Sequence, residues 1–188
     1  MKITLPINGT WTLFLDRDGV INHEKKEAYI LHPNEFNMYE GVPAAMQIFN
    51  RLFGTIVLVT NQRGVGRGLM TENDLADIHR LMVQQVSEAG GRIDNIYYCT
   101  STDNSHPNRK PQPGMAHQAK HDFPQIDFGK SIMVGNKLSD MQFGRNAGMV
   151  TVYVATTNPE IAFPHPLIDY RFANLKAVAD ELAALIKS

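Results

Sequence analysis

Short apolar runs of strand length recur along the chain at residues 11–15, 55–59, 93–98, 131–134 and 150–154, with a sixth candidate at 168–172. They are rich in Val, Ile and aromatics and barely alternate in polarity, as expected of parallel strands covered on both faces. Between them, apolar residues recur at helical spacing. Val42, Ala45, Met46, Phe49 and Leu52 form one stripe, with Pro43 tolerated in its first turn. Leu75, Ile78, Met82, Val83 and Val86 form another, opened by Thr71 with Asp74 three residues on in a capping-box position. A third helix is expected from about Leu138 to Ala147, closed by Gly148. Asn174 caps the last, which buries Leu175, Val178, Leu182 and Leu185. Strands alternating with helices predict an α/β fold with a doubly wound, mostly parallel sheet. The whole chain, 1–188, reads as one domain.

Composition narrows the classes of function. The chain has 188 residues, 43% of them hydrophobic, and a formal net charge of −1, so no strong field draws in nucleic acid or an anionic membrane. The lone cysteine, Cys99, excludes an intrachain disulfide and fits a reducing compartment. Pro6, Asn8 and Gly9 interrupt the apolar residues at the start, which argues against a signal peptide. No run approaches the ~20 apolar residues that span a bilayer. A cytoplasmic protein acting on a small metabolite is expected, and no protein partner is implied.

In an open α/β sheet, ligands bind beyond the carboxyl ends of the strands, so the polar residues there carry the chemistry. The first strand runs into Asp16-Arg17-Asp18-Gly19-Val20-Ile21-Asn22. Two carboxylates so close at a buried strand end repel unless a cation sits there, and a hard divalent ion such as magnesium suits them. One can attack phosphorus while the other protonates a leaving oxygen and then activates water. The second strand ends in Thr60-Asn61-Gln62, followed by a glycine- and arginine-containing tract to Gly68, a set suited to an oxyanion. Arg109-Lys110-Pro111-Gln112-Pro113 puts two cations ahead of a helix start, with Pro113 near its first position. Gly135-Asn136-Lys137-Leu138-Ser139-Asp140 places a further carboxylate just inside a helix. Two connections, about 23–40 and 100–113, are longer than joining requires.

These four segments, in this order, resemble the motifs of the haloacid dehalogenase superfamily, more closely the group of the D-glycero-D-manno-heptose 1,7-bisphosphate phosphatases and histidinol-phosphatases. The resemblance covers about residues 11–154. It implies a magnesium-dependent phosphatase working through a phospho-aspartate, with Asp16 as nucleophile and Asp18 as general acid and base. It also implies Thr60 and Lys110 on the transferring phosphoryl group. Magnesium would be held by the Asp16 carboxylate, the Asp18 main-chain carbonyl and Asn136. Asn61, Gln62, Arg67 and Arg109 are candidates for contacts to substrate. The spacing leaves no room for a large cap domain. A sugar bisphosphate is the leading substrate class, and histidinol phosphate the alternative.

Two departures from that group matter. Its heptose phosphatases often carry three cysteines and a histidine in a zinc loop before the Arg-Lys-Pro motif. Here only Cys99 and His106 are plausible donors, and structural zinc is four-coordinate, so no zinc is expected. The group usually has aspartate where this chain has Asn136, whose carbonyl can bind magnesium but brings no charge. The readings are a variant ligand, or a relative that binds a phosphate ester with little or no turnover. The seven histidines read as scattered, without a helical metal-binding pair, and His79 as a satisfied or partly exposed residue.

Overall fold

The computed structural model describes residues 2–186, with side chains described through Ala184. Six parallel strands form one sheet: β1 (Thr12–Leu15), β2 (Thr55–Asn61), β3 (Asn95–Cys99), β4 (Ser131–Gly135), β5 (Val150–Val154) and β6 (Tyr170–Phe172). Their order is β3-β2-β1-β4-β5-β6. The same four residues of β1 pair with β2 on one side and β4 on the other, so Leu15 lies level with both Leu58 and Val134. The winding reverses between β1 and β4, and such a reversal opens a crevice beyond the strand ends. The expected doubly wound sheet is present.

Six helices connect the strands: α1 (Val42–Leu52), the single turn α2 (Arg63–Gly66), α3 (Glu72–Glu88), α4 (Gly114–Asp122), α5 (Leu138–Ala147) and α6 (Leu175–Ile186). Successive strand residues point to opposite faces. Leu13, Leu15, Ile56, Leu58, Ile132 and Val134 pack on one face with the inner stripes of α1, α3 and α6. Phe14, Val57, Val59 and Met133 pack on the other with Met115, Ala116 and Ala119 of α4 and Phe143 of α5. Each large apolar side chain fully buried in this way contributes roughly 1.5–3 kcal/mol. Neither long connection carries a further domain. Residues 16–41 hold only one short 3-10 turn at Pro33–Glu35, so the site is left without a large cap.

Several boundaries differ from the sequence reading. The third strand begins at Asn95 rather than at 93, because Asp94 exchanges bonds with the Ile56 main chain through both its amide and its carboxylate. Pro113 stands just outside α4 as its cap, not within its first turn. Val83 is only half-buried, at the edge of its stripe, while His79 takes a buried place in it. The side chain of Leu185 lies outside the described residues. His117 and His121, read as part of a scatter, stand four apart on α4, which runs far enough to bring them onto one exposed face. Among the described residues, no group of three or more His, Cys, Asp or Glu is arranged to hold a metal.

The start of α3 is built as its sequence indicates. The Thr71 hydroxyl accepts from the Asp74 amide at 3.1 Å, and the Asp74 carboxylate accepts from the Thr71 amide at 2.8 Å. Thr71→Ala removes half of this box and is expected to cost about 1 kcal/mol. That corresponds to a fall in Tm of about 2–4 °C for a chain of this size. Thermal denaturation followed by circular dichroism measures it. An unchanged Tm would mean that the cap contributes nothing in solution.

Candidate active site

Asp16 follows directly on β1, its amide donating to the Val134 carbonyl at 3.0 Å, so the sheet ladder itself places it at the reversal point. Beyond it the chain turns tightly, with the Arg17 carbonyl accepting from the amides of Val20, Ile21 and Asn22. Gly19 makes that turn at φ 85°, and a Cβ there would fall 2.0 Å from Asn136 Nδ2. Glycine is therefore required both for the backbone and for the approach of Asn136.

Lys110 reaches Asp16 from the other side of the chain. Its side chain is buried, and its ammonium donates to Asp16 Oδ1 at 2.9 Å, Asp140 Oδ1 at 2.7 Å and the Val59 carbonyl at 2.8 Å. All three N–H bonds are thus committed to the protein. The expected contact with a phosphoryl group therefore has to replace one of them. Asn61 fixes the Lys110 backbone, donating to its carbonyl at 3.1 Å and accepting from its amide at 3.0 Å. Burial pushes Asp16 up to about 6, against the pull of Lys110 and with the nearby Asp140 charge adding to the rise. Burial also works against the charge on Lys110, but Asp140 and Asp16 together raise it above the ordinary lysine range.

Of the two carboxylates that Lys110 joins, Asp140 has the more hydrogen bonds. Its Oδ2 accepts from the amides of Asn136 and Lys137 at 3.2 and 3.0 Å, at the N-terminal end of α5. It was visible in the sequence as an acid in a first helical turn but had no role there. Its partner, Lys110, lies 30 residues away on another connection, and only the fold brings them together.

Asp18 is held differently. Arg17 Nε and Nη2 donate to Oδ1 at 3.2 and 3.0 Å, and Nη2 also reaches Oδ2 at 2.9 Å. Asn22 donates to Oδ1 at 2.9 Å and Gln62 to Oδ2 at 3.0 Å. Burial presses the Asp18 pKa upward, but the Arg17 charge and these hydrogen bonds outweigh it and hold the carboxyl below its usual range. The same Gln62 amide donates to Thr60 Oγ1 at 2.8 Å, which orients the hydroxyl and leaves its hydrogen available. Asn61 and Gln62, proposed from sequence as substrate contacts, hold the site's own parts in this structure. Arg17, fully buried, carries no signal in the sequence beyond being a charge inside a buried strand end. Its remaining arm lies 3.2 Å from His79 Nε2, and burial together with the Arg17 charge keeps that imidazole neutral, down at about 3.

Asp16 Oδ2, the Asp18 main-chain carbonyl, Asn22 Oδ1 and Asn136 Oδ1 stand without hydrogen-bond partners among the described residues. Asn136 is fully buried, and its Nδ2 donates to Thr157 Oγ1 at 2.7 Å, which turns the carbonyl end away from Thr157. An unpartnered buried carbonyl is costly unless a cation meets it. An all-oxygen set with one carboxylate suits magnesium. The residues present therefore fit the implied ion.

Asp16, Asp18, Thr60 and Lys110 line a cleft of about 770 Å³ that is also lined by Arg63, Arg67, Arg109 and Tyr29. Arg67 lies over the Tyr29 ring at 5.7 Å from its centre, and Arg109 donates to the Ser101 carbonyl at 3.2 Å. Burial and the charges of Arg63 and Arg67 lower the pKa of Arg109, as expected where cations crowd without an anion between them. In the loop before Arg109, Cys99 Sγ lies 3.6 Å from His106 Nδ1, which accepts from the Asn108 amide.

Removing Lys110 would leave two carboxylates facing each other in the interior. Breaking a buried pair from one side costs about 3–5 kcal/mol, so Lys110→Met is expected to lose stability on that scale at neutral pH. The sign follows from the raised lysine pKa. Its contribution is complete below the ordinary value of 10.5 and is lost only as pH rises through the raised one. Urea denaturation at pH 7 reads the loss, and a change below about 1 kcal/mol would mean that the lock does not form in solution.

Residues 107–183 match the HAD-hydrolase-like family model. The D-glycero-alpha-D-manno-heptose-1,7-bisphosphate 7-phosphatase of Burkholderia mallei is 36% identical over 151 residues, 74% of this chain and 76% of the relative. The D-glycero-beta-D-manno-heptose-1,7-bisphosphate 7-phosphatase of Salmonella typhi is 35% identical over 188 residues, 93% and 95% of the two chains. Among solved structures, the D,D-heptose 1,7-bisphosphate phosphatase from B. bronchiseptica, complexed with magnesium and phosphate, is similar with a TM-score of 0.83. It is 30% identical, and the match covers 93% of this chain and 99% of that one. Likeness at this identity over most of both chains goes beyond a shared fold: the chain belongs to the haloacid dehalogenase-like hydrolases, within the family of the heptose-1,7-bisphosphate phosphatases.

Proposed function

We propose that this chain, acting as one cytoplasmic domain, hydrolyses the 7-phosphate of a heptose 1,7-bisphosphate with magnesium through a phosphorylated Asp16. The observation that carries this is a single alignment of parts. A buried carboxylate is fixed on one oxygen by Lys110 and uncommitted on the other, and it lines a cleft that is also lined by arginines. Its surroundings suit the phosphoryl group that is transferred, and Arg67 and Arg109 suit the phosphate that is retained. The names of the relatives above support the substrate class.

In the first half-reaction, a carboxylate oxygen of Asp16 attacks phosphorus and the bond from phosphorus to the sugar oxygen breaks. Asp18, held ionised in the free site by Arg17 and its amide donors, takes up a proton from water as the ester binds and gives it to that oxygen. Thr60 donates its hydroxyl hydrogen to the phosphoryl group, and Lys110 balances the charge passing through Asp16. In the second half, a water attacks phosphorus and Asp18 takes its proton. The Asp16–phosphorus bond breaks, freeing phosphate and restoring the Asp16 carboxylate and the protonated Asp18. Asp16, the Asp18 main-chain carbonyl and Asn136 would hold magnesium, which would supply neutralisation of phosphoryl charge. Positioning and charge neutralisation are what phosphoryl transfer requires of a protein.

Asp16→Asn is expected to abolish phosphate release from the bisphosphate while leaving the circular dichroism spectrum unchanged, because an amide does not form the acyl phosphate. Activity near the parent's would sink the assignment of the nucleophile.

Asn136→Asp adds a negative charge beside a dication. A unit pair at ~4 Å in an effective dielectric of about 20 is worth on the order of 4 kcal/mol. Desolvation and repulsion from Asp16 and Asp18 cancel much of the gain, leaving roughly ten- to a hundredfold tighter magnesium binding. Calorimetric titration with magnesium reads this without reference to turnover. Unchanged affinity would remove residue 136 from the ligand set. Tighter binding with neither form hydrolysing any ester would favour the binding-protein reading.

A further inference from the structure

Arg17 is an arginine with no exposed surface, and buried charge at a strand end needs a reason. Two of its nitrogens grip the Asp18 carboxylate, and the third, Nη1, lies 3.2 Å from His79 Nε2. A guanidinium only donates, so Nε2 carries a lone pair and the imidazole keeps its proton on Nδ1. His79 is itself fixed. It takes a buried position on the inner stripe of α3 and meets the Tyr98 ring edge-on, with ring centres 5.8 Å apart.

We propose that His79 is a positioning residue for proton transfer: through Arg17 it fixes the Asp18 carboxylate where it can protonate the leaving sugar oxygen. The guanidinium is planar, so holding Nη1 sets the orientation of the whole fork, and the fork sets the plane of the carboxylate it grips. Asn22 and Gln62 also bond Asp18, one oxygen each, through neutral amides on turns of the site itself. The route through Arg17 and His79 instead anchors Asp18 to a 17-residue helix locked in the core. A misplacement of about 1 Å at a reacting group can cost on the order of a hundredfold in rate, so such an anchor bears on catalysis.

This rests on the reading of Asp18 as the proton carrier, and the test separates the two. A sugar alkoxide leaves poorly without a proton, whereas p-nitrophenolate leaves without one. The quantity kcat/KM reports the cleavage of the ester. His79→Leu keeps the apolar packing but cannot accept from Arg17. It is expected to lower kcat/KM for heptose 1,7-bisphosphate about tenfold, a part of the roughly 10²–10⁴-fold that general acid catalysis supplies, and to leave that for p-nitrophenyl phosphate within about twofold. His79→Gln, whose carbonyl can accept, is expected to stay within about threefold of the parent on both esters. Arg17→Lys keeps the charge but loses the fork, and is expected to repeat the leucine pattern even if His79→Leu does not fold. Asp18→Asn, assayed alongside, should lose most on the sugar ester, its fall there exceeding its fall on p-nitrophenyl phosphate. Equal losses on both esters, full activity of His79→Leu on the sugar ester, or a glutamine variant no better than leucine would overturn the proposal. If Asp18→Asn shows the pattern and His79→Leu and Arg17→Lys do not, positioning alone fails. If Asp18→Asn works like the parent on both esters, the proton-carrier reading fails and takes the proposal with it.

Discussion

A lysine buried between two carboxylates is the constraint on which this site depends. Lys110 is 4% exposed, and its ammonium meets Asp16, Asp140 and a β2 carbonyl. Any one of these charges alone would be expelled or neutralised by the interior. Together they can stay, and the cost of parting them ties three connections of the sheet into one object. Asp16 belongs to the end of β1, Asp140 to the start of α5, and Lys110 to the long connection before α4. The backbone of that connection is clamped by Asn61 at the end of β2. The lock leaves one oxygen of Asp16 free, and that oxygen faces the cleft. Stability and nucleophile orientation therefore come from the same contacts.

Asp18, two residues on, is governed by an opposite arrangement. Asp16 is shaped by burial that lifts its pKa, whereas Asp18 is shaped by Arg17 and two amides that outweigh burial and lower it. In the free site their order is the reverse of a ready acid beside a ready nucleophile, so the proposed roles require the cation to lower Asp16 and the bound ester to load Asp18 with a proton. Gly19 lets the chain turn between them and Asn136, and the turn exposes the carbonyl oxygens that suit a hard cation. Asn136 is integrated into this design. Its amide nitrogen is bonded to Thr157, its main-chain amide to Asp140 and its carbonyl to Asn158. The bonded carbonyl is that of the main chain, and the side-chain oxygen is left without a partner among the described residues.

The polar residues that follow the strands divide into two kinds. Asn61, Gln62 and Asn22 turn inward and position Lys110, Thr60 and Asp18. Arg67 and Arg109 turn outward and line the open cleft. The absence of a cap among the described residues makes the outward group the boundary of the substrate space. Its guanidinium groups suit an anion.

Much of this was legible in the sequence because it is local. Strand runs without alternation, the helical stripes, the capping box at Thr71 and the glycine closing α5 are each written in neighbouring residues, and the sheet they predict is the one that forms. The strand-end placement of Asp16, Asp18, Thr60, Lys110 and Asn136 followed from the same periodicity, since ligands gather where parallel strands end. What the sequence left open depends on distance in space. Asp140 appeared as a helix-start acid until Lys110 was brought to it, and Arg17 as one more charge until the fold buried it between Asp18 and a histidine 62 residues away. Asn61 and Gln62 line the cleft, and only the fold shows that their amides also hold Lys110, Asp18 and Thr60. The sequence by itself determined which residues stand at the carboxyl edge of the sheet, because hydrophobic period and turn chemistry are short-range. Only the tertiary structure decided which of them face each other, because a buried charge takes its role from its partner, and the partners come from different strand ends.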